Sequence, residues 1–288
     1  MSKNVKSVYS YTLLIPAAIV YVTFFIVPTV FSFFFSLTRW TLIEWEFIGL
    51  ENFIRFLKEP QLFIGFKNTL IFTVVTCVLK VIFGVMLAVL LTMNIKTKHF
   101  LRSVIFFPTL ISFVAVGITF KVLMHPTSGW INQMLGLLGI SGPNWLGSPR
   151  IAIYSVALVD VWKGVGFATV ILIAGIMSIP KHYYEALEID GGNRWNAFWH
   201  ITLPLTRPAI NIILTLSMIY GMRTFDLVWT MTGGGPGFSS DVIASIIYKQ
   251  YQAGFYGLST AGNVLLFLAV MLIVFPFYKF LTRKEVSV

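Results

Sequence analysis

Residues 185–205 read EALEIDGGNRWNAFWHITLPL, and the organisation of the chain follows from what such a stretch does in its setting. It is polar at its centre, in a chain that is 57% hydrophobic and only 11% charged. Long apolar runs lie on both sides of it. Gly191 and Gly192 interrupt it early, and Pro204 closes it. A bare connector between two membrane spans needs no such punctuation. The stretch is therefore expected to meet a partner outside the membrane.

The local chemistry predicts a compact helix–turn–helix. Pro180 suits a first helical turn, where its missing N–H costs nothing. Lys181 to Ile189 then has room for about two turns. Gly191-Gly192 stops them, because glycine takes the left-handed conformation at little cost. Asn193 is suited to cap a second short helix, Arg194 to Ile201. Pro204 and Pro208 bracket the start of the next apolar run. The competing reading is an ordinary amphipathic linker lying on the membrane surface.

Outward from this stretch, six segments reach the length of about 20 apolar residues that a helix needs to cross a hydrocarbon core of roughly 30 Å. They are Tyr11–Leu37, Thr69–Met93, Leu101–Met124, Ile151–Ile179, Pro208–Thr232 and Ala261–Leu281. All are expected to be helical, since an unpaired backbone group in lipid costs several kcal/mol. Pro28 and Pro276 fall inside spans and predict kinks. The first run is too long for a signal-peptide core and is expected to be a retained span. Trp40, Trp45, Trp130 and Trp145 lie near span ends, as interfacial anchors do.

A soluble domain carries about 25% charged residues, so this composition points to a chain solvated mostly by lipid. The net charge of +10 does not imply nucleic acid, because the basic residues sit singly at the ends of apolar runs. With the N-terminus inside, the inner segments hold Lys3, Lys6, Lys96, Lys98, Arg102, Lys181, Arg194, Arg207, Lys279, Arg283 and Lys284. The outer loops hold Arg39, Arg55, Lys58, Lys67, Arg150 and Lys249. The inner excess predicts that both termini and residues 185–205 face the cytoplasm. Among the outer loops, Phe53 to Leu57 is expected to lie at the interface. Residues 129–149 and Gly233-Gly234-Gly235-Pro236-Gly237 are expected to be irregular. The division expected is 1–68, holding the first span and an external segment, and 69–288, a five-helix core with the polar loop at 180–207.

Charges inside the spans form the second constellation. Asp160 and Lys163 are three apart, as are Arg223 and Asp226, which places each pair on one helix face. A charge at the bilayer centre costs about 3 kcal/mol or more, so it normally faces protein or water. The pairs are either neutralising structural pairs or the lining of a polar cavity, with Trp162, Phe167, Tyr220 and Trp229 as flanking aromatics. Lys80, near the middle of the second span, is expected to pair with another helix. Cys77 is the single cysteine, so neither an intrachain disulfide nor a thiolate metal site is available. His99, His125, His182 and His200 lack metal-ligand spacing, and no catalytic nucleophile elbow occurs. No G-x-x-x-x-G-K-[ST] loop is present to cradle nucleotide phosphates.

Glu185-Ala186-Leu187, Gly191, Ile201, Leu203 and Pro204 together resemble the EAA motif of bacterial ABC importer permeases, with Leu187 in place of the usual alanine. The spelling from Glu185 to Gly192 and from Phe198 to Leu205 is similar to the carbohydrate, maltose/oligosaccharide branch. Gly49-Leu-Glu-Asn-Phe53, Asn68-Thr69-Leu70, Phe225-Asp226-Leu227 and Thr232-Gly-Gly-Gly-Pro236 extend the resemblance over nearly the whole chain. It implies an all-α membrane protein with six transmembrane helices, N-in/C-in, of the type I importer (MetI-like) architecture, in the bacterial cytoplasmic membrane.

The same resemblance implies a sugar permease subunit that is not itself an enzyme and binds no cofactor, ATP and Mg residing on a separate ATPase dimer. The implied partners are that ATPase, a second permease subunit and an external solute-binding protein. Glu185, Ala186, Asp190 and Gly191 would couple the chain to the ATPase. Asp160, Trp162, Lys163, Gly164 and Phe167, with Ser217, Tyr220, Gly221 and Thr224, would line the substrate path. The alternatives are an ABC permease for a non-sugar solute, a secondary carrier using Asp160 and Asp226 as ion sites, and an intramembrane enzyme.

Overall fold

The computed structural model describes residues 11–283. Lys3, Lys6 and Lys284, three of the inner basic residues, lie outside them. Among the described residues four helices are long and apolar enough to cross a membrane, or six if each of two bent pairs is one span. The described residues divide into two compact units, one of residues up to 59 with 247–265, the other of 60–246 with 266–283. Residues 247–265 thus join the N-terminal unit, a grouping absent from a simple division at residue 68.

In the first unit, α1 (Thr12–Ser36) leads into an antiparallel hairpin of β1 (Thr38–Trp40) and β2 (Trp45–Phe47), with Trp40 opposite Trp45. A wide π-helical turn at Val22–Ile26 precedes Pro28. Such a turn re-routes the backbone bonding where proline removes a donor. None of the apolar stretch of α1 is buried within the chain, which costs nothing against lipid tails as apolar as its own side chains. The hairpin is anchored by Trp40 stacked on Phe35, centroids 4.3 Å apart.

α2 (Glu51–Leu57) packs one side against the chain and leaves Ile54 and Leu57 exposed on the other. Its Asn52 amide donates to the carbonyls of Ser36 (3.0 Å) and Thr38 (2.7 Å). Its Phe56 is buried against Gly262, where an added Cβ would sit 2.6 Å from the ring.

The second unit is framed by α3 (Pro60–Thr92) and α7 (Ala152–Met177). α3 starts at Pro60, a favoured first helical position, and its 33 residues span about 50 Å at 1.5 Å per residue. The expected third span is instead two helices, α4 (Lys98–Leu110) and α5 (Phe113–Leu123), bent by 98°. Ile111 and Ser112 are extended there, and the Ser112 hydroxyl accepts from the Ala115 N–H at 3.2 Å, capping α5. The segment 129–149 is not wholly irregular: it contains α6 (Trp130–Leu137). Asn132 holds it by donating to the Pro126 and Pro143 carbonyls and accepting from Trp145 Nε1 at 2.6 Å.

After the loop come α8 (His182–Ile189), α9 (Arg194–Leu205), α10 (Arg207–Met222) and α11 (Asp226–Thr232). The expected span Pro208–Thr232 is therefore broken at residues 223–225. Turn bonds from the N–H groups of Arg223 and Thr224 to the Tyr220 and Gly221 carbonyls close α10. α12 (Ile243–Gln252) and α13 (Tyr256–Thr282) are the last helices among the described residues, and α13 passes through Pro276 as one helix.

Two apolar clusters hold the second unit. One gathers Phe72, Val116, Val156, Val159, Leu227 and Val228, the other Ala88, Leu91, Ala168, Leu172, Ala209 and Ile213. Small residues set the α3–α7 approach: a Cβ on Gly84 would lie 3.0 Å from Leu172 Cδ1 and 3.3 Å from Ala168 Cβ. Gly84 and Ala88, one turn apart, form the small-xxx-small stripe that lets membrane helices pack closely. Replacing Gly84 with Leu is expected to destabilise the protein by about 1–3 kcal/mol through overpacking. Cys77 is buried, so unfolding reported by a thiol-reactive dye should shift to lower temperature in Gly84→Leu.

Candidate functional site

The loop at 180–207 folds as its residues demand. α8 ends in a Schellman motif: the Gly192 N–H reaches the Leu187 carbonyl at 2.8 Å and the Gly191 N–H the Glu188 carbonyl at 3.1 Å. Gly191 sits at φ +76°, the left-handed region. A side chain at Gly192 would collide with Leu187, 2.5 Å from its Cγ. Asn193 then caps α9 by accepting from the Asn196 N–H at 2.9 Å. The first arm begins at His182, one residue later than the expected Lys181, and the Pro180 carbonyl accepts the first turn bond from Tyr183. The two arms are tied by the Tyr184 hydroxyl, 3.1 Å from Thr202 Oγ1.

Glu185, Ala186, Asp190 and Gly191 all lie on the exposed side of this knob. Ile189 beside them is 86% exposed and Trp195 is 67% exposed.

Within the helical unit the structure joins two helices by charge. Lys80 Nζ of α3 lies 2.5 Å from Asp160 Oδ2 of α7, with side chains 7% and 1% exposed. Asp160 therefore pairs across helices and not with Lys163, its neighbour three residues on. Gly164 leaves the space this needs: a Cβ there would be 2.6 Å from Lys80 Cε. The Tyr220 ring covers the ammonium at 5.3 Å and stacks on Phe113 at 5.2 Å. Lys163 turns to that same Phe113, its Nζ 3.9 Å from the ring centroid. It also donates to the Thr109 carbonyl at 3.2 Å, while the Thr109 hydroxyl donates back to the Lys163 carbonyl at 3.2 Å.

The remaining residues singled out from sequence divide by exposure. Ser217, Gly221 and Thr224 are buried, and Gly221 approaches the Thr73 backbone so closely that a Cβ would sit 2.9 Å from its Cα. Trp162, packed on Phe120 at 5.0 Å, and Phe167 remain 43% and 45% exposed. Trp162 is two positions from Asp160, about 200° around the helix, so one faces out while the other faces in. Arg223 and Asp226 are both exposed on either side of the α10–α11 break, and among the described residues neither forms an ion pair. The predicted shared helix face does not exist, because the helix stops between them.

The exposed capped loop between apolar helices coincides with a family match: residues 80–286 match the binding-protein-dependent transport system inner membrane component. The chain belongs to that family. Among curated relatives, a trehalose/maltose transport system permease protein of Thermococcus litoralis is 34% identical over 263 residues, covering 91% of this chain and 89% of that one. A sulfoquinovosyl glycerol transport system permease protein of Agrobacterium fabrum is 31% identical over 277 residues, covering 95% and 90%. Among solved structures, a chain of a bacterial ABC transporter involved in the import of the acidic polysaccharide alginate superposes with a TM-score of 0.84 over 96% of each chain. At 23% identity that likeness concerns the fold, a mostly helical permease.

Sequence reasoning overlooked Phe113 and Thr109, which bring the α4–α5 bend onto the charge cluster. The signal available was Ser112 with Pro108, a cap and a breaker inside an apparent span. In this permease, removing one member of the buried pair, Asp160→Asn or Lys80→Met, is expected to cost about 3–5 kcal/mol. Lys80→Met with Asp160→Leu together should recover most of that loss. Thermal unfolding of the three variants, followed by tryptophan fluorescence, checks the expectation.

Proposed function

We propose that this chain is the membrane permease subunit of an ATP-driven, binding-protein-dependent sugar importer. The carrying observation is the capped helix–turn–helix at 180–207, exposed between apolar helices of a chain in this family. The names of the relatives favour a sugar as cargo. In this reading the chain has six spans with both ends in the cytoplasm of a bacterial cell, each bent pair counting toward the total. It works beside a second permease subunit, with an ATPase dimer beneath and a solute-binding protein outside. ATP and Mg belong to the ATPase, and the chain binds no cofactor.

The loop supplies the coupling. Glu185 and Asp190 offer carboxylates to the ATPase, Ala186 keeps the helix face low, and Gly191 permits the turn that projects it. Ile189 gives the contact an apolar centre, the part of an interface that contributes most. Closure of the ATPase dimer moves α8, and α7 carries the movement toward the charge cluster four turns and more above. There Trp162 and Phe167 offer exposed ring faces suited to sugar stacking, while Tyr220 is engaged with Phe113 and Lys80. Asp160, Lys163, Gly164, Ser217, Gly221 and Thr224 shape that wall from behind, while Arg223 and Asp226 stand exposed at the break beside it.

The test is a pull-down of the tagged chain from native membranes in mild detergent, with its companions identified. One ATPase and one further permease should be recovered. Gly191→Arg, which forces a bulky residue into the left-handed conformation, should lose the ATPase and retain the second permease. Recovery of the chain alone, with uptake intact after reconstitution, would sink the proposal and move the search to ion-coupled transport.

A further inference from the structure

We propose that a groove on the membrane side of α8 binds an anionic phospholipid. The proposal rests on the reading above, in which the 180–207 loop lies at the membrane surface. The groove encloses about 910 Å³, within the roughly 300–1,000 Å³ typical of small-molecule sites. It opens where two spanning helices end, α3 at Thr92 and α7 at Met177. That is the depth at which headgroups meet hydrocarbon.

The lining divides by chemistry along that depth. Met93, Met177 and Phe198 supply an apolar wall, while Lys181, Arg194 and Glu188 supply the polar end. Two cations against one carboxylate leave a net charge of +1. Among the described residues neither Lys181 nor Arg194 has an ion-pair partner within 4.0 Å. A phospholipid satisfies both halves at once: its phosphate meets the cations and the start of an acyl chain covers the methionines and the ring. A soluble phosphate would leave the apolar wall bare, and an apolar solute would leave the cations without a counterion. Basic pockets beside membrane helices take anionic headgroups on these terms.

The position gives the lipid a consequence. Tyr184, Leu187 and Glu188 of α8 line the groove, and their spacing puts them on one face. Glu185, Ala186 and Ile189 occupy the other. A lipid in the groove therefore wedges between α8 and the spanning helices and sets how far the coupling surface stands from the membrane.

The experiment is native mass spectrometry of the detergent-purified full chain with whatever copurifies, titrated with phosphatidylglycerol or phosphatidylcholine of matched chains. The wild type should retain phosphatidylglycerol at least tenfold more tightly. Lys181→Gln with Arg194→Gln should abolish the preference, and Lys96→Gln on the same surface should not. Met177→Trp, which fills the apolar side and leaves the charges in place, should also displace the lipid, so an unfolded double variant does not remove the test. Equal retention of the two lipids, or an unchanged preference in both the double variant and Met177→Trp, overturns the proposal. Displacement by millimolar inorganic phosphate also overturns it, by making the site one for a soluble anion. The lipid is read on the chain itself, so a failure of the ATPase pull-down and a failure of lipid binding are separate results.

Discussion

The ion pair between Lys80 and Asp160 is the constraint on which the second unit depends. Both side chains are almost wholly buried, in a chain whose surroundings are mostly hydrocarbon. A lone charge at that depth is costly, so neither helix can be withdrawn or rotated without exposing one. The pair sits between the two apolar clusters, Phe72 preceding Lys80 and Ala88 following it along α3. Gly164 makes room for the lysine stem, and Tyr220 of α10 covers its ammonium. One contact thus gathers α3, α7 and α10. Lys163, through Phe113 and Thr109, adds the α4–α5 bend.

The loop at 180–207 is held by different means. It has little burial, and an isolated two-turn helix is marginal in water. Its rigidity is local: the Schellman closure after α8, the Asn193 cap and the Tyr184–Thr202 hydrogen bond. A shape fixed locally can be presented outward without a supporting core, which is what a docking element requires. α7 runs without interruption from the ion pair to Met177, about 25 Å at 1.5 Å per residue. One unbroken helix thus runs from the charge cluster to within a few residues of the exposed knob.

The sequence marked these two regions for distinct reasons. In the loop, each short-range signal has a local consequence: glycine at a left-handed position, asparagine at a cap, proline near a boundary. Such signals act over a few residues, so they were legible from one chain. The apolar runs were legible too, because the length of a span is set by the bilayer. The bend at Ile111 and Ser112 and the break at 223–225 were missed, since mean hydropathy does not register a cap or a turn within an apolar run.

By itself, then, the sequence determined a multi-pass helical protein with an exposed capped loop, and it singled out Lys80, Asp160 and Lys163 as charges needing protein around them. Only the tertiary structure decided which charges pair. Spacing along one helix favoured Asp160 with Lys163 and Arg223 with Asp226. The fold instead gave Asp160 to Lys80, because Gly164 opened a path between helices, and it separated Arg223 from Asp226 by ending α10. It also turned Trp162 outward and Asp160 inward on the same helix. Partner choice in a low-dielectric interior is set by which helices touch and where a missing side chain leaves space. Neither is a property of a single segment.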